Sequence, residues 1–328
     1  SNRALSDIYI NCTNNFEKVP ELFLASAAVA RLHNDVRHEA IAYESLAKNY
    51  VRMNQSDKAI ENYRKALAIK PGSDLAIGIL AEIGLAYSVI GDYGNSITFY
   101  DSSLRMEDKD IAMRRSSDIS DTTMNIGLKL NMADIYLIIP NLDKALATYK
   151  DALLLSESIG RKRFIVLSLN GIGKSYRALK QYSEALKYFQ RGLDECSSDN
   201  SGTGTIRVDR PGVMRQCSPF NSFQDEVVLL NEMAKTYLDS GVYTVAIKYA
   251  DTALSLADRQ NFITMLSKTN ATYGNAYLKL NRPDLAIFYL KKALFFAEQK
   301  SSLTDKKDAW LGLYNAYELT GHAESALD

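Results

Sequence analysis

The chain has 328 residues, of which 46% are hydrophobic and 24% charged, a composition typical of a packed protein that excludes wholesale disorder. Its 39 basic side chains balance 39 acidic ones, so the formal net charge is zero. Nucleic-acid binders usually carry a surplus of positive charge to displace counterions from phosphates, so this balance argues against nucleic acid as a partner. No apolar run reaches the roughly 18–20 residues that a membrane-spanning helix needs.

Residues 1–38 are predicted to form a pair of helices ahead of the repeats described next. An apolar stretch runs from Val19 to Leu32 within this segment. We expect the pair to cap the first face of the repeat array, because terminal units of such arrays must cover the apolar surface of their neighbour.

Seven tyrosines, which we call the anchor tyrosines, recur through the rest of the chain with separations of 37, 49, 40, 61, 40 and 40 residues. Small residues recur at fixed distances from them, chiefly three before, nine after and sixteen after each tyrosine. Self-similarity at such a period is the signature of a repeat architecture. The anchor tyrosines are Tyr50, Tyr87, Tyr136, Tyr176, Tyr237, Tyr277 and Tyr317.

The pattern around each anchor tyrosine predicts a helical hairpin. Tyr43, Leu46, Ala47 and Tyr50 have the spacing of one helix face, and a polar break follows them. Ala59, Tyr63 and Ala66 then continue at helical spacing on a second helix. The small residues let the two helix axes approach closely while the aromatic side chains fill the space beside them.

These residues resemble the tetratricopeptide repeat (TPR) family. Its pattern is aromatic, Leu, small, Tyr, then Ala, aromatic, Ala and Pro, and one repeat matches every position. Departures occur elsewhere: Tyr314 occupies a small-residue position and Ala250 an aromatic one. The matching residues are Tyr43, Leu46, Ala47, Tyr50, Ala59, Tyr63, Ala66 and Pro71.

The resemblance implies an all-α fold, a right-handed α-α superhelical solenoid of about seven TPR hairpins plus the N-terminal helix pair. Repeats 1–4 are expected in residues 39–196 and repeats 5–7 in residues 223–328, as parts of one continuous solenoid. The charged and serine-rich segment 105–122 is expected to lengthen the connection of the second repeat. Asp328 follows Ala326 by two residues, so the last repeat is truncated, and we expect an output domain beyond Asp328.

Residues 197–222 form the largest insertion between repeats and are expected to be either a loop or a hairpin. Two strand-like runs flank Asp209-Arg210-Pro211-Gly212, which favours the hairpin, whereas a loop needs no special pattern. Cys196 and Cys217 bracket the insertion. In an oxidising compartment a disulfide between them is one alternative, and two thiols are the other.

The segment Gly171-Ile172-Gly173-Lys174-Ser175 is similar to a phosphate-binding loop but lacks two of its features. Ser168 stands where the first glycine of that motif belongs, and no strand precedes the segment. Gly173 instead occupies the small-residue position three before Tyr176. We interpret the glycines as helix-packing residues, and we find no catalytic or metal-ligating constellation, so no cofactor is expected.

The inner face of a TPR solenoid is built from the first helix of each hairpin, and the resemblance implies that positions two, five and six before each anchor tyrosine face a concave groove. Several of these side chains are amides, which donate and accept hydrogen bonds and therefore suit the backbone of an extended peptide. The alternative is that they are merely solvated. A basic clamp for carboxylate tails is absent from the first repeats, where Ala81 and Leu85 take its positions. The predicted groove residues are Asn131, Asn170, Lys174, Asn231, Lys235, Asn275 and Asn315.

The sequence therefore predicts a non-enzymatic interaction protein that binds a protein or extended peptide. By resemblance we expect the sensor or regulatory arm of a larger bacterial signalling or transcription-regulating protein, either a periplasmic arm of a membrane protein or a cytoplasmic one. A stand-alone assembly scaffold or adaptor is the alternative. A remote third is an enzyme that uses Asp209 and Cys217 of the 197–222 insertion.

Overall fold

The structure is a computed structural model that describes residues 19–114, 119–197, 222–300 and 302–321. These residues form fourteen α-helices and no strand. In chain order the helices are α1 (Val19–Leu32), α2 (Val36–Arg52), α3 (Ser56–Ala68), α4 (Ser73–Val89), α5 (Tyr93–Arg114), α6 (Ile119–Ile138), α7 (Leu142–Ser158), α8 (Lys162–Ala178), α9 (Tyr182–Ser197), α10 (Ser222–Asp239), α11 (Tyr243–Arg259), α12 (Ile263–Lys279), α13 (Pro283–Gln299) and α14 (Leu303–Thr320).

The predicted fold class, an all-α solenoid of helical hairpins, is confirmed. The helices divide into two compact units, an N-terminal unit (Ser1–Asn141) and a C-terminal unit (Leu142–Asp328). Within each unit a helix packs against the next along the chain, as in α2 on α3, α4 on α5, α10 on α11 and α12 on α13. Each anchor tyrosine lies on an even-numbered helix, which is the first helix of its hairpin.

Small residues lie where the two helices of a hairpin cross. Ala47 on α2 and Ala59 on α3 are fully buried, and Tyr63 fills the adjacent space in the same core cluster. In the C-terminal unit Ala234 and Ala246 repeat this arrangement on α10 and α11. Close approach of the axes is thus the physical reason for the spacing seen in the sequence.

The anchor tyrosines are half-buried, and four of them, Tyr87, Tyr176, Tyr237 and Tyr277, stack on an aromatic ring of the second helix. Tyr176 stacks on Tyr188 with ring centroids 5.4 Å apart, and Tyr237 stacks on Tyr249 at 5.3 Å. Offset stacking of this kind contributes about 0.5–1.5 kcal/mol beyond the area buried. These anchor tyrosines are therefore packing residues.

The turn inside each hairpin places one residue in the left-handed region, four positions after the anchor tyrosine. Glycine or asparagine, which adopt this conformation readily, fill most of these positions, as at Gly241 (φ 84°) and Asn281 (φ 55°). Lys180 adopts φ 60° at the same position of its hairpin. A side chain with a Cβ other than asparagine or aspartate is unfavourable there, so Lys180 is a strained residue.

Lys180→Gly is accordingly expected to stabilise the C-terminal unit by roughly 0.5–1 kcal/mol, because relief of the Cβ clash exceeds the greater chain entropy of glycine. Urea unfolding followed by circular dichroism measures the change. Gly241→Ala at the equivalent position is the matched control and should destabilise the unit. An unchanged or lower unfolding midpoint for Lys180→Gly would contradict the strain argument.

Four regions differ from the expectations or lie outside the described residues. Within the segment 105–122, α5 extends to Arg114 and α6 begins at Ile119, so much of what was expected to be a connection is helix. Of the predicted N-terminal pair, α1 packs on α2, while residues 1–18 are outside the described ranges. Residues 198–221 and 322–328 are also outside them, so the insertion and the truncated last helix stay predictions.

Candidate functional site

The first helices of the C-terminal unit pack side by side and carry one polar side chain each at the same repeat position. Helix α8 contacts α10, α10 contacts α12, and α12 contacts α14. The residue two before the anchor tyrosine is partly or fully exposed on all four helices. We call these residues the first-helix stripe: Lys174, Lys235, Asn275 and Asn315.

Two of the predicted groove residues are buried next to the stripe. Asn170 is 7% exposed and Asn231 is 3% exposed. The Oδ1 atom of Asn231 accepts a hydrogen bond of 2.9 Å from the Thr272 hydroxyl on α12. The Oδ1 atom of Asn170 has no hydrogen-bond partner among the described residues. Asn231 thus joins neighbouring first helices, and its peptide-binding role remains a prediction.

A charged network between α8 and α10 borders the stripe, and sequence reasoning missed it. Arg177 Nη1 donates to Glu232 Oε2 at 2.6 Å, and Lys235 Nζ donates to Glu232 Oε1 at 3.2 Å. Arg177 Nε also lies 3.6 Å from Asp239 Oδ2. We call these four residues the Arg177–Glu232 network.

The network fixes the charge of its central carboxyl. Burial opposes ionisation of Glu232, but the positive charges of Lys235, Arg177 and Lys174 outweigh it and hold its pKa at about 2. Burial raises the pKa of Asp239 despite the nearby Arg177. When Lys174 of the stripe is counted with the network, three cations stand beside two carboxylates, a formal excess of one positive charge.

The remaining predicted groove residue, Asn131, belongs to the N-terminal unit, where it is exposed on α6. A related charge cluster lies on α2 and α4 of that unit. Lys48 Nζ is 2.7 Å from Glu44 Oε1 and 3.4 Å from Glu82 Oε1. This cluster places a carboxylate five residues before an anchor tyrosine beside a cation of the preceding first helix, as the Arg177–Glu232 network does.

The glycines that resemble a phosphate-binding loop are packing residues inside α8. A Cβ added to Gly171 would lie 2.2 Å from the Tyr149 ring, and one added to Gly173 would lie 2.4 Å from the Phe189 ring. Both ring residues are buried. The glycines allow the neighbouring helices to approach, which confirms the packing interpretation.

Cys196 is buried on α9 in a cluster with Phe189, Leu229 and Met233. Cys217 lies outside the described residues, so the possible disulfide stays a prediction. No helix within the described ranges has the length and apolar character to cross a bilayer. Nor do the described residues bring together three side chains able to hold a metal ion.

The stacked hairpins and the polar stripe on their first helices define a helical-repeat protein. Two family models, both described as tetratricopeptide repeat, match residues 124–194 and residues 40–73 and 267–295. These segments of the chain are tetratricopeptide repeats. No curated protein sequence matches it.

Solved structures show the same fold at low sequence identity. Aspartyl phosphate phosphatase F from Bacillus subtilis is 14% identical with a TM-score of 0.65, over 94% of this chain and 72% of that one. The apo quorum sensor NprR from B. thuringiensis is 13% identical with a TM-score of 0.63, over 98% and 83%. A Rap protein complexed with competence and sporulation factor is 16% identical with a TM-score of 0.61, over 94% and 77%.

Proposed function

We propose that the first-helix stripe of the C-terminal unit binds an extended peptide segment of a partner protein, without catalysis. The observation that carries this proposal is the repetition of an accessible polar side chain at one position of four helices that pack in series. Such a stripe offers hydrogen-bonding and charged groups at regular intervals to a chain lying across the helices. The fold similarity to a Rap protein complexed with competence and sporulation factor supports a binding role.

The charge of the stripe favours a peptide with acidic side chains. Lys174 and Lys235 are the cations of the stripe, and Glu232, the carboxylate nearest to them, is buried and paired with Arg177. Glu232 and Asp239 are two carboxylates beside three cations, Lys174, Arg177 and Lys235, so one positive charge stays unbalanced. Asn275 and Asn315 then suit the peptide backbone, since amides donate and accept hydrogen bonds.

A phage-displayed library of random 12-residue peptides, selected on the purified chain, tests the proposal. Selected peptides are expected to be enriched in Asp and Glu, and their dissociation constants are measured by fluorescence polarisation. The double variant Lys174→Ala/Asn275→Ala is expected to weaken binding at least about tenfold, since interface contacts of this kind contribute about 1 kcal/mol each.

The matched control is Lys187→Ala/Gln190→Ala, which removes an exposed lysine and an exposed amide from the second helix α9. This variant should bind the selected peptides as the unaltered chain does. Equal affinity of all three proteins, with unchanged helicity, would place the peptides elsewhere and overturn the assignment to the stripe.

We further infer that peptide binding serves regulation, with the chain as the sensor arm of a larger signalling protein. The fold similarity to the quorum sensor NprR is the support for this context. The sequence of the complete gene tests it. A kinase or DNA-binding domain in the same reading frame supports the regulatory arm, and repeats alone would favour the scaffold.

A further inference from the structure

A groove lies between two second helices of the C-terminal unit, on a surface that the proposed function does not use. Helices α11 and α13 form its walls, and α12, which packs on both, forms its floor. The groove has a volume of about 670 Å³. Phe288 and Phe295 line it from α13 and are 51% and 56% exposed. Two large aromatic side chains exposed beside one groove are typical of an interaction surface.

The floor of the groove contains a buried amide with an unused acceptor. Asn270 is 1% exposed, and its Nδ2 donates to the Leu266 carbonyl at 2.7 Å. Its Oδ1 has no hydrogen-bond partner in the described part of the chain. A buried acceptor without a partner costs about 1–3 kcal/mol, and because this atom is enclosed a docked molecule would reach it only if the floor rearranged.

The two walls carry opposite charges at the same position along their helix axes. Asp251 on α11 and Lys291 on α13 each follow their anchor tyrosine by fourteen residues, and both side chains are exposed. The equivalence of the two helices is structural as well, because Tyr237 stacks on Tyr249 as Tyr277 stacks on Tyr289. One wall is therefore anionic where the other is cationic.

This arrangement is complementary to itself. A two-fold axis that runs along the groove, parallel to the two helices, places α11 of one copy opposite α13 of the other. Positions along the helix axes are unchanged by this rotation. Asp251 of each copy then faces Lys291 of the other, and Phe295 faces the small side chain of Ser255, which lines the opposite wall. We propose that this groove is an isologous docking surface for a second copy of the chain.

The same two-fold rotation also predicts one unfavourable contact. Asp258 and Glu298, both exposed, each follow their anchor tyrosine by twenty-one residues and would face each other near the ends of the helices. Contact through one groove between two helices should bury less area than the 1,200–2,000 Å² of a standard interface, so association should be weak. We expect a dissociation constant of about 10–100 μM.

Sedimentation velocity of the full chain between about 1 and 200 μM tests the proposal. The unaltered chain is expected to show a monomer–dimer equilibrium. Asp251→Lys alone or Lys291→Asp alone juxtaposes like charges twice and should weaken the dimer at least about tenfold. An equimolar mixture of the two variants should form heterodimers, because each variant then faces the opposite charge. Glu298→Lys should strengthen the dimer.

Circular dichroism and melting curves show whether each variant keeps the fold of the unaltered chain. Asp251 accepts a 2.9 Å hydrogen bond from the Tyr273 hydroxyl, so Asp251→Lys changes the fold's contacts as well as its charge, whereas Lys291→Asp leaves this bond intact. Lys65→Asp reverses an exposed charge on α3 and should leave association unchanged. A chain that stays monomeric over this range, or a dimer that neither charge reversal weakens, would overturn the proposal.

Discussion

Gly84→Ala is expected to destabilise the N-terminal unit by about 1–2 kcal/mol, whereas Gly78→Ala in the same helix is expected to stabilise it by about 0.5–1 kcal/mol. A Cβ at Gly84 would lie 2.7 Å from Cδ1 of Tyr100, while one at Gly78 would meet no atom within 4 Å. Both substitutions improve helix propensity, so their difference isolates the cost of overpacking. Urea unfolding of each variant, followed by circular dichroism, measures it.

The cost is large because Tyr100 has little room to move. Its side chain is 1% exposed and packs in a cluster with Leu128 and Ile135. The Ser96 hydroxyl also donates a 2.6 Å hydrogen bond to the Gly84 carbonyl, which holds α4 and α5 together at this point. A Cβ at Gly84 must therefore displace either the ring or the helix.

A double variant separates the clash from other causes. Tyr100→Leu removes the ring, so Gly84→Ala in that background should cost much less than in the unaltered chain, and the two changes should not be additive. Equal effects of Gly84→Ala in both backgrounds would show that the ring is not the obstacle.

The hairpins were predictable because their cause is local and repeats along the chain. Gly84, Gly173 and Gly274 stand three residues before an anchor tyrosine, and in each case a Cβ would enter a side chain of the following helix. Because a helix crossing needs a small residue, the sequence shows one at a fixed distance from the tyrosine. The positive φ of Lys180 could not be predicted in this way, because lysine, unlike glycine or asparagine, is not typical of that conformation.

The burial of Asn170 and Asn231 was not predictable from the repeat. Their position within one hairpin points toward the inner face, but their exposure depends on how closely the next first helix approaches. For Asn231 the partner is Thr272, on the helix of the following repeat. That contact depends on how the first helix of one repeat is placed against the first helix of the next. The spacing of residues within one repeat does not specify this placement.

The Arg177–Glu232 network did leave a signal that the sequence analysis did not use. Glu82 and Glu232 each stand five residues before an anchor tyrosine, and each pairs with a cation of the preceding first helix, Lys48 or Arg177. A search for opposite charges on consecutive first helices would have found both pairs. The two differ in burial, since the Glu232 side chain is 9% exposed and that of Glu82 33% exposed.

Removal of Arg177 alone should destabilise the C-terminal unit more than removal of Arg177 together with the charge of Glu232. Arg177→Met leaves the buried Glu232 carboxylate with Lys235 as its bonded cation, so the loss should be smaller than the about 3–5 kcal/mol that a wholly uncompensated buried charge costs. The double variant Arg177→Met/Glu232→Gln should be more stable than Arg177→Met, because it removes the unmatched charge. A double variant less stable than Arg177→Met would show that Glu232 does not need its cations.

Acid unfolding should depend on Glu232 more than on an exposed carboxyl. Its pKa lies at about 2 in the folded chain and near 4.5 as a free side chain, so ionised Glu232 contributes stability that is complete above pH 4.5 and is lost as the pH falls toward 2. The loss amounts to about 2 kcal/mol at pH 3 and about 3 kcal/mol when protonation is complete. Glu232→Gln cannot take up this proton, so the difference in unfolding free energy between the unaltered chain and this variant should shrink by about 2 kcal/mol between pH 6 and pH 3. Urea titrations at each pH measure it, with Glu61→Gln, an exposed partner of Lys65, as the control that should show little change. A difference that stays constant with pH would mean that Glu232 is not held ionised by Lys235, Arg177 and Lys174.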